Sequence, residues 1–295
     1  LREPALIADI GGTNARFALA SPEGALHEVR TLPTRHFGSL AEAARQYLDA
    51  TGARPLEACF AVAGPVVGDR VRLTNHRWEF SVAATRDALG LARLRVINDF
   101  EAIALALPAL AAEDLEQIGG EAPVAGRPMA VLGPGTGLGV AQLIATRSGF
   151  QPVSTEGGHA TLGPRDEAEL QILATLLRNG QHPSREALLS GPGIERIYWA
   201  LCLNGGLDYQ GYSAAEIQAH AVDGSDATCR AALGHFCAFL GTAAGDQALC
   251  CGAQGGVYIA GGIVPRFTAF LRQSRFRARF EDKGPMRDYV RAIPV

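Results

Sequence analysis

A glycine-rich turn between two short apolar runs occurs twice in this chain, and this repeat constrains the fold more than any other feature. The first copy is "ALIADIGGTNARFALA", residues 5–20, and the second is "MAVLGPGTGLGVAQLIA", residues 129–145. Apolar runs joined by glycines, which adopt positive φ readily, are typical of tight β-hairpins. Thr136 and Gly135 stand in the second copy where Thr13 and Gly12 stand in the first. The repeat therefore predicts two related lobes, each with its own glycine turn.

Each glycine turn has two interpretations. The backbone amides of such a turn form a nest that suits phosphate, which predicts one nucleotide between the two lobes. The alternative is structural, because the side chains of Asp9 and Asn14 can bond their own backbone in the turn. One copy alone favours the structural interpretation, whereas the second copy favours phosphate binding.

Composition narrows the class of protein. The chain has 295 residues, of which 47% are hydrophobic and 19% charged, so two ordinary globular domains are expected. The net charge of −3 and scattered arginines argue against a nucleic-acid partner. We find no apolar stretch long enough for a membrane span, and "LREPALIADI" lacks the design of a signal peptide, so a cytoplasmic location is expected. The six cysteines lack paired CxxC spacing, which predicts reduced thiols rather than a zinc site.

Two common phosphate-binding motifs are excluded. Lys283 is the only lysine in the chain and lies far in sequence from both turns, so no Walker A loop is present. The stretch "GPGTGLG" does not satisfy GxGxxG, because Leu138 and Val140 occupy the third-glycine positions. Charge compensation at a bound phosphate would therefore come from backbone amides, threonine hydroxyls and a Mg²⁺ ion held by a carboxylate.

Strand and helix patterns alternate along the chain. After the first hairpin we expect a strand in "EVRTLP", a helix in "SLAEAARQYLDATG" that stops at Gly52, and strands in "EACFAVAGPV" and "RLRVINDF". The run around Pro108 predicts the boundary between a small α/β domain, 1–108, and a large, more helical α/β domain, 109–295. Near the end, "GGVYIAGGIVPRF" predicts a buried strand, two glycines and a helix started by proline. That turn suits a flat adenine ring, although a plain strand-to-helix connection fits equally well.

Several motifs together resemble the bacterial glucokinase family. They are "DIGGTNAR", "TNHRWEFS", "VINDFEA", "GPGTGLGVA", "TEGGH", "LSGPG", "GGVYIAGGIVPRF" and "FEDKG", and they run nearly from end to end. The resemblance implies an α/β, two-lobed actin-like ATPase (ribonuclease H-like) fold. In this fold a duplicated core of mixed β-sheets is flanked by helices, and ATP and sugar bind in the interlobe cleft. It also implies that Mg²⁺-ATP phosphorylates the 6-hydroxyl of glucose and that the protein is a homodimer. Members of the family continue beyond Val295 with a segment that returns to the first lobe.

The resemblance also assigns site residues. Asp9 would reach Mg²⁺, through water, and Asp99 would be the general base. The residues implied at the phosphates are Gly11, Gly12, Thr13, Asn14, Gly135, Thr136 and Gly137, and those at the adenosine end are Gly261, Gly262 and Ile263. The residues implied at the sugar hydroxyls are Asn75, Asn98, Asp99, Glu156, His159 and Glu186. Acid, amide and imidazole groups suit that role because they read the direction of each hydroxyl.

A structural interpretation exists for each polar residue at the sugar. Glu156 and His159 would form an exposed loop pair, and Glu186 would be a first-turn helix acid at the favourable end of the dipole. Asp99 would be the N-cap of the helix that follows it.

Two other functions remain open at this point. One is a related hexokinase or fructokinase of the same fold; repressor-type sugar kinases with a zinc motif are disfavoured because that motif is missing. The other is a non-catalytic actin-like nucleotide-binding sensor. The stretches "VINDF" and "TEGGH" favour a kinase, because a sensor has no use for an acceptor base beside hydroxyl-binding groups.

Overall fold

The computed structural model describes residues 4–74 and 76–295. Its contacts separate the chain into two compact units, Leu1–Ile103 and Ala104–Val295, and the division falls within a helix, Asp99–Ala106. The boundary predicted from the sequence, near residue 108, lies just after that helix.

The first unit is built on a five-stranded sheet. Its strands are β1 (Ala5–Ile10), β2 (Asn14–Ala20), β3 (Leu26–Pro33), β4 (Glu57–Val62) and β7 (Arg93–Asn98), in the order β3-β2-β1-β4-β7. The first three strands pair antiparallel, whereas β4 runs parallel to β1 and β7 runs parallel to β4. A separate small ribbon joins β5 (Arg70–Arg72) to β6 (Glu79–Ser81). The carboxyl ends of β1, β4 and β7 therefore share one edge of the sheet.

In the described residues of the first unit, three α-helices occur or begin: α1 (Leu40–Thr51), α2 (Val82–Ala88) and α3 (Asp99–Ala106); a short 3₁₀ helix spans Thr34–His36. The Ser39 side chain caps α1 by accepting the amide of Glu42, and Gly52 ends it in the left-handed conformation with φ of 69°. The face of α1 that carries Ala43, Ala44 and Tyr47 is buried in the core of this unit. The stop predicted at Gly52 is confirmed.

The sheet of the second unit repeats the β3-β2-β1-β4 part of the strand order of the first. Its sheet contains β8 (Met129–Pro134), β9 (Leu138–Thr146), β10 (Gly149–Thr155) and β11 (Val257–Ile259), in the order β10-β9-β8-β11. An antiparallel meander is again followed by a strand parallel to the first one. Both predicted hairpins are confirmed, and the mixed α/β architecture with a duplicated sheet agrees with the predicted fold class.

The helices of the second unit surround one apolar core. They are α4 (Glu167–Arg178), α5 (Arg185–Leu188), α6 (Gly191–Gly205), α7 (Ala214–Asp223), α8 (Ala227–Cys251), α9 (Thr268–Gln273), α10 (Phe276–Glu281) and α11 (Arg287–Ala292). Helix α8 is buried along most of its length, which explains why its sequence is apolar on nearly every side. Within the described part of the chain, every helix is too short or too polar to cross a membrane.

One predicted helix is interrupted. The pattern "ALLSGPGIERIYWALC" predicts continuous helix, but the structure has α5 and α6 with a break at Leu189 and Ser190. The Ser190 side chain accepts the amide of Gly193 and so starts α6, and Pro192 sits in its first turn. The break matters for the site, because it places the short helix α5 beside the second glycine turn.

Candidate active site

The first glycine turn is held by contacts from two directions. The amide of Gly11 donates to the carbonyl of Asn14 at 2.9 Å across the turn. Thr34, just beyond β3, donates its hydroxyl to the carbonyl of Gly12 at 2.9 Å and its amide to the carbonyl of Thr13 at 3.0 Å. Thr34 is buried and therefore anchors the turn on its core side. Thr13 is exposed, so the other side of the turn is open to solvent.

Asp9 lies in β1, next to this turn. Its side chain is 58% exposed and lies 3.4 Å from Arg16 of β2. An ion pair this exposed contributes little to stability, so the carboxylate is available for a ligand.

Asp99 lies at the same edge of the sheet as Asp9. Asp9 of β1 pairs in register with Ala61 of β4, which pairs with Ile97 of β7, and Asp99 follows two residues later as the first residue of α3. One strand therefore separates the two acids. This strand-to-helix junction is where ligands bind in many α/β sheets.

Asn98 takes the capping role that the sequence offered to Asp99. The Asn98 Oδ1 accepts the amides of Phe100 at 2.9 Å and Glu101 at 3.3 Å, and its Nδ2 donates to the carbonyl of Gly64 at 3.1 Å. The Asp99 carboxylate accepts the amide of the next residue, Phe100, at 2.9 Å. The alternative in which Asp99 is the N-cap is therefore corrected: Asn98 caps α3.

The pKa of the Asp99 carboxyl is raised above its ordinary value. Partial burial is the largest cause, since it penalises the charged form, and the nearby negative charge of Asp9 adds to it. The amide of Phe100 acts in the opposite direction by stabilising the carboxylate. A desolvated carboxylate that is not needed to cap its helix is suited to accept a proton.

The second glycine turn is braced by neighbouring segments of its own unit. The amide of Gly135 donates to the carbonyl of Gly137 at 2.8 Å, and the amide of Gly191 at the start of α6 donates to the carbonyl of Gly135 at 2.8 Å. Glu186 of α5 accepts the amide of Leu138 at 2.9 Å. A Cβ on Gly137 would lie 2.5 Å from the Glu186 carboxylate, so a larger residue there would displace the Glu186 side chain from the turn.

The predicted adenosine-binding residues lie against this second turn. Gly261 follows β11 with φ of 85°, and a Cβ on it would collide with the carbonyl of Pro134. The side chain of Ile263 is close enough that a Cβ on Gly191 would contact it at 3.9 Å. The structure thus brings the 135–137 and 261–263 stretches together.

Glu156 and His159 form an exposed pair. Glu156 precedes a single helical turn, Gly157–His159, and His159 is its last residue; the His159 Nε2 lies 3.9 Å from a Glu156 carboxylate oxygen. Both side chains are more than half exposed. The loop-pair geometry is therefore present, and it leaves both polar groups accessible to a ligand.

Helix α5 is joined to the segment that carries Glu156 and His159. The amide of Arg185 donates to the carbonyl of Ala160 at 2.8 Å, and the amide of Leu162 donates to the carbonyl of Pro183 at 3.0 Å. Glu186, Glu156 and His159 therefore belong to one backbone-linked region. Beside it opens a cleft of about 390 Å³, whose lining includes Thr136, Ser184, Glu186, Ser190 and Arg196. This size is within the usual range of small-molecule sites.

Magnesium fits the donor set of the first unit. No cluster of three or more His, Cys, Asp or Glu side chains suited to a metal occurs in residues 4–74 and 76–295. Mg²⁺ commonly binds through one or two carboxylates together with substrate phosphates and water, and the exposed Asp9 supplies one such carboxylate.

Some site residues were missed or cannot be placed. The carbonyl of Gly64 accepts a hydrogen bond from the Asn98 side chain. A Cβ on Gly64 would lie 2.8 Å from the carbonyl of Arg72. The Gly-Pro pair after β4 was the sequence signal that could have indicated this residue. Gly191 was recognised only within the motif "LSGPG". Asn75, predicted at the sugar, lies outside the described residues.

Comparison with known proteins gives one consistent family. The family model named Glucokinase matches residues 6–295. A glucokinase of Chromobacterium violaceum is 48% identical over 293 residues, which cover 99% of this chain and 84% of that protein. The crystal structure of a glucokinase from an Antarctic psychrotroph has a TM-score of 0.90 at 41% identity, and the match covers 99% of this chain and 93% of the other.

A more distant structure shares the fold alone. It is a ROK family glucokinase from Streptomyces griseus, solved in complex with glucose and AMPPNP, with a TM-score of 0.61 and 18% identity. The match covers 94% of this chain and 88% of the other.

Proposed function

This chain belongs to the glucokinase family, and we propose that Asp99 is the general base of its phosphoryl transfer from ATP to the 6-hydroxyl of glucose. Family membership over nearly the whole chain makes it a kinase that phosphorylates glucose. We propose the role of each residue, and the main support for the role of Asp99 is the environment of its carboxyl group. The Asp99 carboxyl is desolvated, has a raised pKa and is relieved of capping by Asn98.

Asp99 accepts the proton of the 6-hydroxyl as that oxygen attacks the γ-phosphorus, and the bond from the γ-phosphorus to the bridging oxygen breaks, releasing ADP. Desolvation raises the basicity of the carboxylate, which brings its proton affinity closer to that needed near neutral pH. Asn98 holds the first turn of α3 next to the segment after β4, because its side chain bonds both the amide of Phe100 and the carbonyl of Gly64. The base is thereby held by the backbone rather than by a flexible loop.

Phosphate binding depends on the two glycine turns. In the first unit, Thr34 holds the turn at Gly12 and Thr13; in the second, Glu186 and Gly191 hold the turn at Gly135–Gly137. Preorganised amides stabilise the charge of the transferred group without reorganising during the reaction. Mg²⁺, bound beside Asp9, would neutralise charge on the phosphates. Gly261, Gly262 and Ile263 lie next to the second turn and would contact the adenosine end.

From the family resemblance, sugar recognition is assigned to five polar residues besides Asp99: Asn75, Asn98, Glu156, His159 and Glu186. Glu156 and His159 are accessible, and Glu186 keeps one carboxylate oxygen on the amide of Leu138. A wrong epimer would leave some of these carboxylate, amide and imidazole groups without a hydrogen-bond partner. The binding energy lost in this way is the basis of selectivity for glucose.

A coupled assay tests the proposed function directly. The purified chain is assayed with glucose, mannose, fructose and N-acetylglucosamine, and with ATP, ADP and polyphosphate as donors. We expect glucose with ATP to give the highest kcat/KM. A higher value with fructose would assign the chain to a related hexokinase, and nucleotide binding without turnover on any sugar would support the sensor. Light scattering of the same sample tests the homodimer, which we also propose from the family resemblance.

A further inference from the structure

The single lysine of the chain is buried in the second unit. The Lys283 side chain is only 7% exposed, and its Nζ donates to the carboxylate of Asp246 at 2.6 Å and to the carbonyl of Thr242 at 3.0 Å. The other carboxylate oxygen of Asp246 lies 3.5 Å from the guanidinium of Arg185, which is 11% exposed. One carboxylate therefore lies between two nearly buried cations.

Arg185 depends on this carboxylate. Its Nε is buried and has no hydrogen-bond partner anywhere in residues 4–74 and 76–295, and Asp246 is its only ion-pair partner within that part of the chain. A buried cation that loses its counter-charge is costly, so the guanidinium would move if Asp246 were neutral.

The position of Asp246 is fixed by close helix packing. A Cβ on Gly241 or Gly245 of α8 would collide with the backbone of α10, at Phe276 and Phe280 respectively. The same Cβ on Gly245 would lie 2.5 Å from Cε of Lys283. These close contacts hold the α8 backbone at Asp246 in place, whereas the Asp246 side chain itself is 38% exposed.

Arg185 connects this fixed point to the candidate sugar site. It opens α5, and the next residue, Glu186, holds the amide of Leu138 at the second glycine turn. The backbone amide of Arg185 holds Ala160, the residue after His159. A helix of four residues has little stability of its own, so its side-chain anchors determine where Glu186 lies.

We propose that Asp246 is a positioning residue, which anchors Arg185 and thereby holds Glu186 against the second glycine turn. Its kinetic consequence, tighter binding of glucose, rests on the proposed function, whereas its structural consequence, order in the turn, does not. Asp246 touches no substrate in this scheme and acts only through Arg185.

The test compares Asp246→Asn with Asp282→Asn. The second variant removes another ion pair of the same unit, Arg165 with Asp282 at 2.9 Å. Asp282 precedes Lys283 in the chain, but among residues 4–74 and 76–295 the Arg165–Asp282 pair forms no side-chain hydrogen bond or ion pair with α5. Hydrogen–deuterium exchange is measured on peptides spanning residues 136–142, together with KM and kcat for glucose and ATP. We expect faster exchange in the turn only for Asp246→Asn, with the glucose KM raised about ten-fold and the ATP KM changed less.

Two further variants separate the contributions and guard against misfolding. Arg185→Gln removes one buried charge instead of the shared counter-charge, and we expect it to reproduce the faster exchange. Lys283→Met leaves the Asp246–Arg185 pair intact, and we expect parental exchange in the turn. Equal turn protection in Asp246→Asn and Asp282→Asn would overturn the proposal, whatever their KM values. If the unsubstituted chain does not phosphorylate glucose, the proposed function fails, but exchange still decides this proposal.

Discussion

Asp9 and Asp99 lie at one edge of the same sheet with a single strand between them, and the charge of Asp9 adds to burial in raising the pKa of Asp99. A group with a raised pKa in the folded state binds more protons folded than unfolded. Stability therefore falls as the pH rises through the interval between the two pKa values. Above both pKa values, the ionised Asp99 destabilises the fold.

Neutralising Asp99 should stabilise the protein. Asn keeps an oxygen for the amide of Phe100 and carries no charge to desolvate, so we expect Asp99→Asn to melt at a higher temperature than the parent at pH 7. The difference should shrink as the pH falls below the raised pKa of Asp99, where the parent carboxyl is also neutral. Thermal melts of both proteins across this range measure it. Identical melting temperatures at neutral pH would contradict the burial cost inferred for Asp99.

Asn98 should behave as a cap and as a tether to Gly64. Asn98→Ala loses both contacts, and we expect it to destabilise the first unit by about 1–2 kcal/mol, the usual cost of losing an N-cap plus part of a hydrogen bond. Asn98→Asp keeps the acceptor for Phe100 but has no donor for the Gly64 carbonyl, so a smaller loss is expected. Denaturant unfolding checks the order. Equal stability of Asn98→Ala and the parent would mean that Asp99 caps the helix after all.

Much of the scaffold was predictable because its signals are local. The two hairpins follow from apolar runs around glycines, and α1 follows from Ser39, its amphipathic face and Gly52. The break between α5 and α6 was not predicted, because the apolar period continues through Leu188 and Leu189 while the cap at Ser190 interrupts it.

The site was predicted less completely because its contacts are between distant segments. Asn98 and Asp99 are adjacent in the sequence, and the sequence alone does not determine which of their side chains accepts the helix amides. Lys283 was correctly excluded from a Walker A loop, yet nothing in the sequence indicates its contact with Asp246 on α8. The link from Arg185 to Asp246 has the same character, since it depends on tertiary packing.

Glu156 should contribute to binding of the sugar rather than of the nucleotide. Glu156→Gln replaces a carboxylate by an amide, and losing a charge-assisted hydrogen bond from a hydroxyl costs roughly 1.5–3 kcal/mol. We expect glucose affinity to fall ~10- to 100-fold, with ATP affinity nearly unchanged. Calorimetric titration with each ligand measures both. Glu167→Gln, on an exposed first turn of α4, is the matched control. Equal losses for glucose and ATP in Glu156→Gln would indicate a structural role.

Activity should require a divalent cation. Lys283 is buried against Asp246 and Thr242 in the second unit, so we do not expect it at the phosphates, and we propose that amides and Mg²⁺ balance the charge there. We expect excess EDTA to abolish turnover and added MgCl₂ to restore it, with the melting temperature unchanged between the two conditions. Undiminished turnover in EDTA would remove Mg²⁺ from the scheme.

The turnover of Asp99→Asn tests the central claim most directly. Since Asn98 caps α3, the substitution leaves the helix intact and removes only the proton acceptor. We predict a folded protein that still binds ATP and glucose, with kcat reduced by ~10²-fold to 10⁴-fold, the usual contribution of a general base. Asp49→Asn, at an exposed position of α1, serves as the control and should keep full turnover. Near-parental kcat in a folded Asp99→Asn protein would show that Asp99 is not the base.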